Sequence, residues 1–202
     1  MSPTQVRIES MTAEDASDVG RLHRECIKTG FLSSLGPRFL KSLYAALARS
    51  PHAFGFVAKR DSSVIGFIMC ATDVSRVYRG LILKRFVQLA LPLLRFLLRW
   101  RTVKRIFETL FYPRRVPQDL PRAEVLSVAV DGECRGQGVG GMLMQACLER
   151  FRSLGIGHVK AAVGAENPGA NSYYRKAGFE LVITMMHHGK AMNQYVLELK
   201  GV

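Results

Sequence analysis

Residues 124 to 153 constrain this chain more than any other stretch. Glu-Val-Leu-Ser-Val-Ala-Val, from Glu124 to Val130, reads as a strand, and Asp131-Gly-Glu-Cys-Arg-Gly-Gln-Gly-Val-Gly-Gly leads from it into a helix from about Gly140 to Ser153. A strand that passes through a glycine turn into a helix commits the chain to an α/β layout. Glycines at 136, 138, 140 and 141 let a ligand approach the backbone, and exposed N–H groups at a helix start make a seat for phosphate oxygens. Gly136, Gly138 and Gly141 also satisfy the dinucleotide spacing G-x-G-x-x-G. Position argues against that reading. The dinucleotide turn follows the first strand of its unit and takes an acidic residue about twenty positions on, at the end of the next strand. Here the next strand, His158 to Val163, ends in Gly164. By itself the turn fits either a phosphate seat or a purely structural helix entry.

The flanking sequence supplies the rest of one domain, which 202 residues accommodate. Val6 to Glu9 reads as a first strand, and Thr12 with Asp15 resembles a capping arrangement for a helix running to about Ile27. Pro37 suits the first turn of a second helix, Gly36 to Arg49. Phe54 to Lys59 and Val64 to Ala71 form a hairpin about Arg60-Asp61-Ser62-Ser63. After the glycine-turn helix come the strand at His158, a short helix from Pro168 to Lys176, and a closing hairpin, Phe179 to Met186 and Met192 to Leu199, around His188-Gly189-Lys190.

A second motif lies 32 residues beyond Arg135: Asn167-Pro-Gly-Ala-Asn-Ser-Tyr-Tyr-Arg-Lys-Ala-Gly-Phe179. Arg135, Gly138 and Gly140 match R/Q-x-x-G-x-G/A. Asn167, Ala170, Tyr174, Gly178 and Phe179 match N-x-x-A-x-x-x-Y-x-x-x-G-F. In that order and at that separation, the two motifs resemble those of the GNAT superfamily of acyl-CoA-dependent N-acyltransferases, over roughly residues 1 to 72 and 122 to 200. The resemblance implies a mixed, mostly antiparallel central sheet of six to seven strands flanked by helices. It also implies that the fourth and fifth strands splay, so that backbone groups of Val128, Ala129 and Val130 bond the pantetheine arm like an added strand. Arg135, Gly136, Gln137, Gly138, Val139, Gly140 and Gly141 would hold the pyrophosphate of acetyl-CoA, the acyl donor. Asn167 and Ala170 would lie along the pantetheine. Tyr174 would protonate the leaving thiolate, and transfer would be direct, with no metal.

Each role has a plainer counterpart. Tyr174 is a core tyrosine if its ring simply packs, and Tyr173 competes for the same role. Asn167 also suits the cap of the helix that Pro168 begins. Glu124 stands where histone-type members of the superfamily carry a catalytic glutamate and is the candidate base. Its counterpart is an ordinary solvated carboxylate at a strand end. His158, His187 and His188 are alternative bases. Ala162 occupies the position at which enzymes that acetylate ribosomal-protein N-termini carry a glutamate, which disfavours a peptide N-terminus as acceptor.

The net charge of +13 is concentrated: residues 76 to 115 hold eleven cations and the single acid Glu108, and the remainder of the chain carries +3. This stretch sits in an insertion, 73–121, between the third and fourth strands of a single domain, 1–202. Within it Lys84, Arg85, Gln88, Arg95 and Arg99 share one arc at about 100° per residue, opposite a leucine-rich face interrupted by Pro92. Over 81–112 such an element suits a homodimer contact or an anionic membrane surface. Nucleic acid is disfavoured because leucine dominates. Cys26, Cys70, Cys134 and Cys147 form no CxxC pair, and the first thirty residues lack a signal-peptide pattern, so a cytoplasmic protein, at most peripheral to a membrane, is expected. These readings converge on an N-acetyltransferase for a primary amine of a small or sugar-like acceptor. A non-catalytic acyl-CoA-binding regulatory module and a peripheral membrane adaptor are the alternatives.

Overall fold

The hairpin between residues 53 and 71 fixes the centre of the sheet. Strands β2 (Ala53–Arg60) and β3 (Ser63–Ala71) are joined by Asp61 and Ser62, both at positive φ, the backbone of a two-residue turn whose twist matches that of the strands. The computed structural model describes residues 5–27, 32–81, 120–187 and 189–199. Around the hairpin it builds a seven-stranded sheet in the order β1-β2-β3-β4-β5-β7-β6. The remaining strands are β1 (Arg7–Ser10), β4 (Glu124–Val130), β5 (His158–Gly164), β6 (Glu180–His187) and β7 (Lys190–Glu198). Every neighbouring pair is antiparallel except β4 and β5, which run parallel. The mixed, mostly antiparallel α/β sheet expected from the resemblance is therefore present.

Helices cover both faces. On one, α1 (Ala16–Cys26) and α2 (Pro37–Ala48) bury Val19, Leu22, Leu40, Leu43 and Tyr44 against Val57, Phe67 and Met69. On the other, α3 (Val139–Ser153) and α4 (Pro168–Lys176) bury Leu143, Cys147, Phe151 and Tyr174 against Ile68, Val125, Val159 and Tyr195. β3 is buried at eight of its nine positions because both layers rest on it. At about 25 cal/mol per Å² of apolar area, each of these large side chains contributes roughly 1.5–3 kcal/mol by leaving water.

Two local readings shift. β1 begins one residue later than expected, at Arg7. The Thr12–Asp15 arrangement is present, the Asp15 carboxylate accepting from the Thr12 N–H at 2.8 Å and the Thr12 hydroxyl at 3.0 Å and pairing with Lys59 at 3.0 Å, but α1 itself begins only after it, at Ala16. These donors, led by the Thr12 amide, hold the Asp15 carboxyl below its ordinary range although burial opposes them. The cationic amphipathic helix expected in the 73–121 insertion falls mainly on 82–119, outside the described residues; residues 74–81 before it are helical. Among the described residues no helix is long and apolar enough to cross a membrane.

Candidate active site

The gap in the sheet is the feature on which the site is built. β4 and β5 pair only at Glu124↔Lys160 and Val125↔Ala161, after which the strands part. On its other side β4 stays paired with β3 as far as Gly66↔Val130, through a bulge in which Met69 faces Ser127 and Cys70 faces Val125, leaving Leu126 as the extra residue. From Leu126 onward β4 therefore has one edge free of β5; since the Asp131 N–H bonds the Ile65 carbonyl of β3 at 2.8 Å, alternation along the strand turns the peptide groups of Ala129 to β3 and those of Val128 and Val130 to the gap. Ala129 is thus the exception among the three expected backbone partners, and the Val130 carbonyl already accepts from the Arg135 Nε at 3.3 Å and faces the Cys26 thiol at 3.5 Å.

The glycine turn stands at the head of this gap. Asp131 caps a short 3-10 turn, Gly132–Cys134, by accepting the Glu133 N–H at 3.1 Å. Gly136 and Gly138 then adopt positive φ of 76° and 80°, and Gly138 forms the N-terminus of α3 with no side chain satisfying the first amides of the helix. A Cβ added at Gly136, Gly138 or Gly141 would meet nothing within 4 Å, so open space lies over all three. Gly140 differs. A Cβ there would sit 3.2 Å from the Tyr173 ring, and its carbonyl accepts the Tyr173 hydroxyl at 2.8 Å. Gly140 is the point where α3 and α4 touch, and Tyr173 is thereby engaged in holding the turn. The exposed Gln137 amide bridges the turn, its Oε1 accepting from the Arg60 guanidinium at 2.7 Å and its Nε2 donating to the Glu133 carbonyl at 2.9 Å. Val139 is buried beneath the turn.

Tyr174, the next residue of α4, lies deeper in the same core. Its ring is 5% exposed, stacks on Tyr195 and meets Phe179 and Tyr173 edge-on. Burial first, then Tyr173, Cys70, Cys147 and the Glu124 carboxylate, holds its phenol well above the ordinary tyrosine range, so the proton stays on at neutral pH. Asn167 caps α4: its Oδ1 accepts the Ala170 N–H at 3.0 Å, the plainer of the two roles read from the sequence. Ala170 is half-buried against the α3/α4 core.

Glu124 is not a solvated strand-end carboxylate. It is 5% exposed, ion-paired with the equally buried Lys160 at 3.6 Å, and its Oε2 has no hydrogen-bond partner. Desolvation outweighs the Lys160 cation and pushes its pKa up to about 7. Burial foremost, with the Glu124 charge second, also raises the Tyr78 phenol. The Glu124 carboxylate thus lies within electrostatic reach of Tyr174 as well as Tyr78. His158 is exposed at the start of β5, and the His187 and His188 side chains lie outside the described residues.

Three contributors escape the sequence reading. Asn171 Oδ1 accepts from Asn193 Nδ2 and the Tyr195 hydroxyl, both at 2.8 Å, while its Nδ2 donates to the carbonyls of Gly164 and Asn167. Its place four residues after Asn167 was the available clue. Lys160, a cation inside the apolar run His-Val-Lys-Ala-Ala-Val-Gly, was a second. Ser127 carried no local signal at all. Its hydroxyl lies 2.8 Å from the Tyr44 hydroxyl, which lies 2.6 Å from His23 Nδ1. Among the described residues no group of three or more His, Cys, Asp or Glu side chains is placed to hold a metal.

Comparison with known proteins agrees with this architecture. The family model described as "Acetyltransferase (GNAT) family" matches residues 21–179. An uncharacterized N-acetyltransferase from Methanocaldococcus jannaschii is 38% identical over 58 residues, which is 29% of this chain and 26% of that protein. The match thus spans about a quarter of that relative's length. In fold, the chain resembles the ribosomal-protein-S18-alanine N-acetyltransferase of Escherichia coli (TM-score 0.61, 13% identity, 98% of this chain and 96% of that one). It also resembles an acetyltransferase of Salmonella typhimurium solved with its cofactor acetyl-CoA (TM-score 0.62, 14% identity, 96% and 94% covered). The structural likenesses speak for the fold, and the family match covers most of the sequence from the middle of α1 to the end of the second motif. On these grounds the chain belongs to the GNAT family of acetyltransferases.

Proposed function

We propose that this protein transfers the acetyl group of acetyl-CoA directly to a primary amine on a small-molecule or sugar-like acceptor. The observation that carries the proposal is the parting of β4 from β5 beyond Val125, headed by a glycine turn with open space over Gly136, Gly138 and Gly141. A strand edge with an unpaired amide and carbonyl at Val128 suits the pantetheine amides, and free N–H groups at the start of α3 suit a diphosphate. Arg135 brings a cation to the same turn. Acetyl-CoA, when bound, supplies an activated thioester; the chain's own residues supply position and protons.

Glu124 is suited to take the amine proton. With a pKa near 7 it is a base over the range in which an enzyme operates, and its Oε2, ion-paired with Lys160 but without a hydrogen bond, has an acceptor lone pair to offer. Tyr174 suits the complementary step. Its phenol remains protonated, so it can donate to the departing sulfur, after which solvent restores the proton. Asn167 and Ala170 contribute by setting the start of α4, which aims Tyr174. The 81–112 segment is the portion we assign to a homodimer contact or an anionic membrane surface.

The test is a panel of acceptors, including an aminosugar, a polyamine and a lysine-containing peptide, scored by thiol released from acetyl-CoA. Release with an aminosugar or polyamine supports the reading. Binding of acetyl-CoA with no release for any amine favours a regulatory acyl-CoA-binding module, and no binding at all favours the membrane adaptor.

A further inference from the structure

The chain of hydroxyls behind β4 has a direction that can be worked out. His23 is 3% exposed on α1, and its Nδ1 lies 2.6 Å from the Tyr44 Oη of α2, which in turn lies 2.8 Å from the Ser127 Oγ of β4. Three elements far apart in sequence thus share one line of hydrogen bonds. Burial pulls the imidazole pKa down to about 4, so at neutral pH the ring carries a single hydrogen. Two arrangements satisfy the distances. In one, Ser127 donates to Tyr44, Tyr44 donates to Nδ1, and the ring hydrogen is left on Nε2. In the other, Nδ1–H donates to Tyr44, Tyr44 donates to Ser127, and the Ser127 hydrogen is left free.

His23 Nε2 decides between them, because it is buried and has no hydrogen-bond partner. An orphaned buried N–H is rarer and more costly than an under-used acceptor. The hydrogen therefore belongs on Nδ1, and the chain runs outward from His23 through Tyr44 to Ser127. Ser127 sits two residues beyond the last β4–β5 pair, at the bulge, and it is only half-buried. Its free hydrogen is available on the strand that walls the gap.

We propose that Ser127, oriented by Tyr44 and His23, is a further residue of the active site, a hydrogen-bond donor to the carbonyl oxygen of the acyl group. This rests on the transferase reading above. Preorganised donors of this kind act where negative charge gathers during acyl transfer, and removing one typically costs about 100-fold in kcat. Tyr44 and His23 are positioning residues: they leave the Ser127 oxygen already accepting one bond and its hydrogen committed outward.

The first test needs no substrate. In protein labelled with 15N at histidine, the ring signals lost in the His23→Gln variant must show the hydrogen on Nδ1; a hydrogen on Nε2 would overturn the proposal. The second is kinetic. With acetyl-CoA and the best amine of the acceptor panel, Ser127→Ala is expected to lower kcat about 100-fold while acetyl-CoA raises its melting temperature as in the wild type. Ser127→Thr, which keeps the hydroxyl, should restore most of the rate. Equal rates for the alanine and threonine variants would contradict a donor role. If instead acetyl-CoA fails to stabilise even the wild type, the transferase reading falls, an outcome distinct from the histidine result.

Discussion

The two faces of the β4–β5 gap are built by opposite means. On the α3/α4 face the groups come from two contiguous runs, the glycine turn and the Asn167–Phe179 segment, and each works largely through its own backbone: positive φ at Gly136 and Gly138, the Asn167 cap, the Gly140–Tyr173 contact. On the α1/α2 side the groups are single side chains brought together over long separations: His23 with Tyr44 is 21 residues, Tyr44 with Ser127 is 83. The first kind of site survives as a motif because local geometry dictates residue type. The second depends on tertiary packing, so its members leave no contiguous signature in the sequence.

Substitutions on each face sharpen this contrast. The largest effect is expected at Tyr174: Tyr174→Phe keeps the stack on Tyr195 and Phe179 but removes the donor, and turnover should fall by about 10²–10⁴ with acetyl-CoA affinity retained. Unchanged turnover would show that another donor protonates the thiolate. Next is Glu124→Gln. The wild-type rate should rise with pH through about 7 as Glu124 loses its proton, and the variant should lose that rise along with about 100-fold in rate. A pH profile of unaltered shape would assign the base elsewhere. Asn171→Ala, smaller and confined to stability, leaves Asn193 and Tyr195 without an acceptor in the interior and should cost about 3 kcal/mol in denaturant unfolding.

His23 gives a pH signature with a definite sign. Its folded pKa, about 4, lies below the unfolded 6.5, so the unfolded chain binds more protons between those values. Stability is present in full above pH 6.5 and is lost as pH falls toward 4, by on the order of 3 kcal/mol. Unfolding curves of His23→Gln should lack this loss. The smallest contrast lies within the turn: Gly138→Ala forces a Cβ into φ 80° and should destabilise by about 1 kcal/mol, whereas Gly141→Ala, inside α3 with free space beside it, should be neutral or slightly stabilising.

Much of the fold was legible because its signals are local. Pro37 opens α2, Asp61 and Ser62 make the hairpin turn, and Asn167 with Pro168 starts α4, each where the sequence places it. Glu124 could be named but not understood. A carboxylate before an apolar strand reads as a wet strand end, and its burial appears only once the fold sets it against Lys160 of β5. Tyr173 and Tyr174 are neighbours in sequence, and only the packing of α4 separates the one that holds Gly140 from the one stacked in the core. The Ser127 chain had no sequence signal because its members sit on three different elements.

Melting the wild-type protein with and without acetyl-CoA tests the central claim most directly. A ligand seated in the gap at about 100 times its dissociation constant stabilises by roughly 2.7 kcal/mol, which for a chain of this size raises the melting temperature by about 5–10 °C. The same rise, reduced in a variant that fills the space over the turn such as Gly141→Glu, is the result this account predicts. A melting temperature indifferent to millimolar acetyl-CoA would contradict it.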